Sequence, residues 1–395
     1  MPNALIYSST FDGHRQVFVF VISQVLNELG YKIHIAGNFK EEITNSFYIE
    51  KLKKNKSVIL IDTSLNAQGS MNITVTDFIA IQKNNNIDLT VFSEGDHHIP
   101  LFNSQILNKQ NRLRGRTVGI FLRPFYYYEK LSFINKLRYF KNLKNRWKTD
   151  NRLFHGFLLK YFRLLDSALY IDENFVSSHS FSKWLPDVFQ QYAETLVVEE
   201  NPEQRVWIEK LNDFKEKNKD RFIFLYFGTA QKRRGYDMLL KMAVENKACF
   251  IHCGLTDSKE KYDYDVSELK SRLQDEGRLM ETNQYISDPL CIEHFFKSVN
   301  HLVLPYRNFL GSSGVMLQAL YYRIPVLVPE KGIMGYRVKK HNLGLTYNGD
   351  YDSLIEQFKK FKDTPKDSYT NGIDLYMQYQ SKVRLKEILI KELSV

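Results

Sequence analysis

The 395 residues are 43% hydrophobic and 25% charged, with a net charge of +10 and a pI near 9.1. That length predicts about two domains, and the composition is that of an ordinary globular protein. The positive balance favours anionic partners: nucleic acid, an anionic membrane surface or a phosphorylated substrate. Three cysteines, Cys249, Cys253 and Cys291, without paired C-x-x-C motifs exclude a disulfide framework and a structural zinc site. They are expected as reduced core thiols of a cytosolic protein. The opening Leu5-Ile6-Tyr7 run is too short for a signal peptide, and Asp12, His14 and Arg15 follow at once. No stretch approaches the roughly 18 apolar residues that span a membrane.

In chain order, "ALIYSS" predicts a buried strand, "FDGHRQ" a loop, and "VFVFVISQVLNELG" a helix closed by Gly30. "KIHIAG" is a second strand. This strand–loop–helix–strand opening implies a parallel sheet. "SVILID", "DLTVFS", "TVGIFL" and "SALYID" continue it. The pattern breaks near Glu199-Glu200-Asn201-Pro202, and a charged helical segment runs to about Asp220. Strand–helix alternation then restarts: "FIFLYFG", "GYDMLLKMAVEN", "CFIHCG", "VSELKSRLQDEG", "LMETNQY", "PLCIEHFFKSV", "HLVLPY", a short helix, "IPVLVP" and "LGLTYN". The expectation is an α/β protein of two Rossmann-like domains facing a cleft. The domains are 1–198 and 199–370, with a C-terminal helix over 371–395 that packs back on the first.

Ligands of open parallel sheets bind at the carboxyl ends of the strands, so the post-strand loops are the places to search. In "STFDGHRQ", Gly13 before the helix lets the backbone approach a ligand at the helix N-terminus, and His14 is a loop histidine that would face it. In "FGTAQKRRGYDML", Gly228 ends a strand and Lys232, Arg233 and Arg234 precede a helix. Cations there oppose the helix dipole, and a bound diphosphate would supply their reason. In "RNFLGSSGVMLQAL", Gly311, Ser312, Ser313 and Gly314 present amides and hydroxyls to phosphate or sugar oxygens, and Gln318 follows one turn later. Each loop also has a plain reading as a solvated turn.

These stretches resemble the GT-B glycosyltransferases of the large retaining family four, best over 222–350 and colinearly in the N-terminal half. "FGTAQKRRGYDMLL" is similar to that family's G-x5-K-G element, whose cations bind the nucleotide diphosphate. "YISDPLCIEHFFKSVNHLVLPY", with Tyr285 and Ile286, resembles the segment running past the nucleobase. "GSSGVMLQALYYRIPVLVP" sits where the family carries E-x7-E, and "STFDGHRQVFVFVISQVLNELGYKIHIAG" resembles its first Gly-rich loop. The family's lysine is Arg234 here, and the arginine often found after the glycine is Thr229. The two acids fall on Leu310 and Gln318. Gln318 keeps hydrogen bonding to ribose without charge. Leu310 cannot touch a sugar hydroxyl, so Asn308 or the Ser312 or Ser313 hydroxyl takes that part.

The resemblance implies retaining transfer without a protein nucleophile. The acceptor hydroxyl attacks on the leaving-group face, and the departing diphosphate takes its proton. Arg234 and Lys232 would neutralise the leaving group. Neither a metal nor another cofactor is required; the nucleotide-diphosphate sugar is the donor substrate. In "EGDHHIP", Asp96 and His97 would contact the sugar or the acceptor. The acceptor is expected to be a saccharide or lipid-linked glycan of cell-surface polysaccharide or glycolipid synthesis. A non-catalytic sugar-nucleotide binder, and an inverting enzyme with His14 or Asp96 as base, are the alternatives. The segment 123–165, opening at Arg123 and closing at Leu165, interleaves eleven cations with aromatics and includes only Glu129 and Asp150 as acids. It fits peripheral contact with an anionic inner leaflet, or a long domain helix with solvated lysines. No nucleic-acid motif accompanies it, so nucleic acid is not expected as a partner.

Overall fold

A computed structural model of the chain describes residues 1–8, 11, 14–39, 47–63, 75–98, 101–102, 112–122, 165–178, 183–187, 201–256 and 259–394. The chain divides into two compact units, Met1–Phe189 with Gln380–Val395, and Gln190–Tyr379.

The first unit runs β1 (Asn3–Ser8), α1 (His14–Glu28), β2 (Lys32–Gly37), α2 (Phe47–Lys54), β3 (Val58–Asp62), α3 (Val75–Asn84), β4 (Leu89–Phe92), β5 (Arg116–Phe121), β6 (Ser167–Tyr170), α4 (Glu173–Ser178) and β7 (Lys183–Trp184). The strands form one sheet in the order β3-β2-β1-β4-β5-β6-β7, every pair parallel. Helices cover such a sheet, so its central strands are continuous apolar runs; all of β4 is buried. The rings of Tyr7, Phe78 and Phe92 meet at 5.2–6.1 Å on one face. Gly30, at φ 80°, ends α1 in the left-handed conformation expected of a helix-terminating glycine.

The second unit runs α5 (Val206–Lys217), β8 (Ile223–Phe227), α6 (Tyr236–Glu245), β9 (Cys249–Cys253), α7 (Val266–Asp275), β10 (Leu279–Glu281), α8 (Pro289–Lys297), β11 (Leu302–Val303), α9 (Gly314–Tyr321), β12 (Val326–Pro329), α10 (Gly332–His341), β13 (Gly344–Tyr347), α11 (Tyr351–Asp363) and α12 (Thr370–Tyr379). Two parallel three-stranded sheets, β10-β9-β8 and β11-β12-β13, lie with β8 beside β11. The spatial order is therefore the doubly wound 3-2-1-4-5-6, with its switch point between β8 and β11. The three cysteines are free and buried in this unit.

The C-terminal segment differs from the single helix expected over 371–395. It breaks at Gln380-Ser381 into α12 and α13 (Lys382–Leu393). Ser381 caps α13, its Oγ accepting from the Arg384 amide at 3.2 Å. Gln380 is fully buried, and its Oε1 accepts from the Asp187 amide at 2.6 Å. Only α13 packs on the first unit, burying Leu385, Leu389 and Leu393. Its Glu392 accepts from the Ser167 hydroxyl at 2.7 Å and from the Lys183 ammonium at 2.6 Å. No described helix is long and apolar enough to cross a membrane.

Candidate functional site

The loops after β8, β9 and β11 build the candidate site of the second unit. β8 ends at Gly228, whose φ of +108° only glycine adopts readily. Its amide donates to the Cys253 carbonyl at 2.8 Å, and its carbonyl lies 3.1 Å from His252 Nε2. A carbonyl only accepts, so that nitrogen carries the proton. His252 Nδ1 faces Glu281 Oε1 at 3.4 Å, and Lys270 pairs with the other carboxylate oxygen at 2.7 Å. Burial would push the Glu281 carboxyl up, but His252 and Lys270 together pull it down to about 2.

The loop then folds back on its strand. The Tyr226 hydroxyl donates to the Thr229 carbonyl at 3.0 Å and accepts from the Gln231 amide at 3.1 Å. Lys232–Arg234 form a single 3-10 turn, closed by Gly235 at φ +72°. Gly235 also permits contact with β11: a Cβ there would stand 2.2 Å from the Pro305 carbonyl oxygen.

The three cations of this turn have different surroundings. Lys232 is answered from the β9 loop, because its ammonium pairs with Asp263 at 2.5 Å and its amide donates to Glu260 at 3.0 Å. Its charge thus has a reason inside the protein, in contrast to the expectation that all three await a ligand. Arg233 is exposed. Arg234 lies across the start of the loop: a Cβ on Gly228 would meet its Nη1 at 2.6 Å. Its guanidinium therefore stands over the glycine at the end of β8, beside the switch point.

The β11 loop supplies a residue that nothing in its local sequence singles out. Arg307 makes a two-pronged pair with Asp237, Nη1 to Oδ1 at 2.6 Å and Nη2 to Oδ2 at 3.0 Å. Asp237 is fully buried. Losing Arg307 would strand that charge, at a cost of about 3–5 kcal/mol.

Further along, Asn308 is exposed at φ 51°, and Gly311 is buried. Leu310 docks its backbone on Gly332, where a Cβ would come within 2.7 Å of the Leu310 Cα. The Ile333 amide donates to the Leu310 carbonyl at 3.2 Å. The two serine hydroxyls proposed for the donor have protein partners. Ser312 Oγ accepts from Arg337 Nη1 at 2.7 Å. Ser313 caps α9 by accepting from the Met316 amide at 3.3 Å, and its Oγ lies 3.2 Å from the Tyr306 hydroxyl. Gly314 begins α9. Gln318 is 5% exposed, and its side-chain amide has no hydrogen-bond partner among the described residues. After β10, Tyr285 is 74% exposed while Ile286 is buried. The Tyr285 carbonyl accepts from Gln204 Nε2 at 3.0 Å.

In the first unit, Asp96 lies in a 3-10 turn after β4, and its Oδ2 accepts from the Leu122 amide at 2.6 Å. His98 enters the core, with its ring 4.7 Å from Tyr7 and 5.5 Å from Phe92. Glu94, an acid passed over in the sequence, is 1% exposed at the end of the same strand. Gly13 and nearly all of 123–165 lie outside the described residues, as do the side chains of His14 and His97.

No family model and no curated protein sequence matches the chain. Solved structures do. HepE of Anabaena, in complex with UDP and glucose, aligns at a TM-score of 0.63 and 14% identity over 100% of both chains. Sucrose-phosphate synthase of Thermosynechococcus elongatus aligns at 0.61 and 11% identity, over 98% of this chain and 97% of its own. WaaG, a glycosyltransferase of lipopolysaccharide biosynthesis, aligns at 0.56 and 13% identity, over 99% and 98%. At such identities the likeness is one of fold: the chain has the α/β architecture of these glycosyltransferases.

Proposed function

We propose that the protein is a glycosyltransferase that moves a sugar from a nucleotide-diphosphate donor to a saccharide or lipid-linked glycan, with retention. The observation that carries this reading is Arg234 laid over Gly228 at the switch point of a doubly wound sheet. There a cation meets the diphosphate as it departs, and a charge fixed in advance stabilises the leaving group most. The unpaired Gln318 amide, one turn into α9, would take the ribose hydroxyls. The neighbour HepE is seen with UDP and with UDP-glucose, which makes uridine nucleotides the first donors to try. The acceptor hydroxyl would attack beside the leaving group and pass its proton to it. This reading assigns the reaction no metal. It places the acceptor's membrane surface against 123–165, in polysaccharide or glycolipid synthesis at the inner leaflet.

Nucleotide release from a panel of sugar nucleotides, with and without anionic vesicles carrying lipid-linked acceptor, tests it. Wild type should turn over one donor with the anomeric configuration kept, and Arg234→Ala should lower kcat/KM by about a hundredfold or more. Vesicle binding should weaken with salt. Leu310 and Gln318, in place of two acids, favour a second reading as a non-catalytic sugar-nucleotide binder. Binding without turnover in both proteins would select it.

A further inference from the structure

We propose that Arg307 is the positioning residue of the donor-diphosphate loop, holding the Lys232–Arg234 turn in the shape that presents Arg233 and Arg234. The inference rests on the function proposed above for that loop. Arg307 grips the turn from outside, on the loop after β11. Its own amide donates to the Arg233 carbonyl at 2.8 Å. Its Nη1 donates to the Lys232 carbonyl at 2.5 Å and to Asp237, in the first turn of α6. Its Nη2 completes the pair with Asp237 and lies 3.4 Å from Asp263, the carboxylate that also holds Lys232.

The turn needs such a holder. Across it, the backbone is closed by the Arg234 amide to Gln231 (3.1 Å), the Gly235 amide to Lys232 (2.8 Å) and a long bond from the Tyr236 amide to Gln231 (3.4 Å). A single 3-10 turn has poor hydrogen-bond geometry. Three successive cations repel one another, and they sit ahead of a helix whose dipole disfavours them. Arg307 binds two consecutive carbonyls of the turn. It thereby fixes the peptide planes on which the Arg233 and Arg234 side chains are carried. The planar fork is essential to this arrangement. A lysine is a point charge and cannot hold a carbonyl and both carboxylate oxygens at once.

The test uses Arg307→Lys and the double variant Asp237→Asn with Arg307→Met, which removes both charges of the pair together and so avoids stranding the buried one. Pyrophosphate and UDP binding are measured by calorimetry on the full chain, with Arg234→Ala marking the share that belongs to this loop. Hydrogen exchange is followed at the Arg234 and Gly235 amides. Both variants should bind pyrophosphate about ten- to a hundredfold more weakly. Protection should fall at those two amides while the β8 and β9 amides keep theirs. Wild-type pyrophosphate affinity, or protection lost evenly across the unit, overturns the inference. If wild type itself binds neither probe, the diphosphate reading fails instead, and exchange at Arg234 and Gly235 still decides the positioning.

Discussion

His34 shows what burial does to a titratable side chain. It lies on β2 between Leu5 and Ile59 in register, 3% exposed, with neither ring nitrogen bonded among the described residues. Burial, reinforced by Lys32, holds its pKa below the usual 6.5. The unfolded chain therefore takes up the proton first, and stability falls as the pH drops below about 6.5. Carboxylates whose folded pKa is depressed, such as Glu281, lose their contribution only below about 4.5, so the two effects separate. His34→Leu should flatten the decline in melting temperature between pH 7.5 and 5.5. An unchanged decline would assign it to other groups, such as His301, whose pKa is also lowered by burial. At this scale the sequence is uneven. Gly228, Gly235 and Arg234 stand out because glycine beside a strand end and cations before a helix are locally anomalous. Asp237 and Arg307 do not, because each alone looks like an ordinary surface charge. Their pairing across 70 positions exists only once β8 and β11 are neighbours.

Between elements, the loops after β8 and β11 form one piece because Gly235 lets them touch. Alanine there must adopt a left-handed φ, at about 1–2 kcal/mol. It must also displace the Pro305 backbone, which a Cβ would approach to 2.2 Å. Gly235→Ala should destabilise the second unit by more than the conformational term alone, read from urea unfolding followed at that unit. A loss under about 1 kcal/mol would mean that the loops separate freely. The elements themselves were largely readable, since buried parallel strands are apolar runs and their helices are amphipathic. The break at Gln380-Ser381 was not. The apolar periodicity runs through it, and the interruption comes from a distant partner, the Asp187 amide. The lysines near the carboxyl ends of α5, α8 and α11 also gain a reason here. Lys215, Lys297 and Lys362 line one pocket where those three ends converge, and cations offset the negative ends of helix dipoles.

For the whole molecule, the repeated strand–helix pattern announced two Rossmann-like halves, and the return of the C-terminal helix to the first was expected, but not that only its part from Gln380 onward changes units. α13 contributes three buried leucines and Glu392 to the first unit. Burial would raise the Glu392 carboxyl, yet Lys183 and Ser167 hold it below the ordinary range. Ending the chain after Tyr379 should therefore lower the melting of the first unit and leave the second nearly unchanged. Two separate calorimetric transitions would read this, and equal loss in both would contradict the division. The same return fixes an order of events at the ribosome. The second unit is a continuous stretch and can close as soon as it emerges. The first, though made earlier, waits with the α13 side of its core open until residue 393 has been added. Its exposed apolar surface during that interval is a point at which nascent chains would stick to one another.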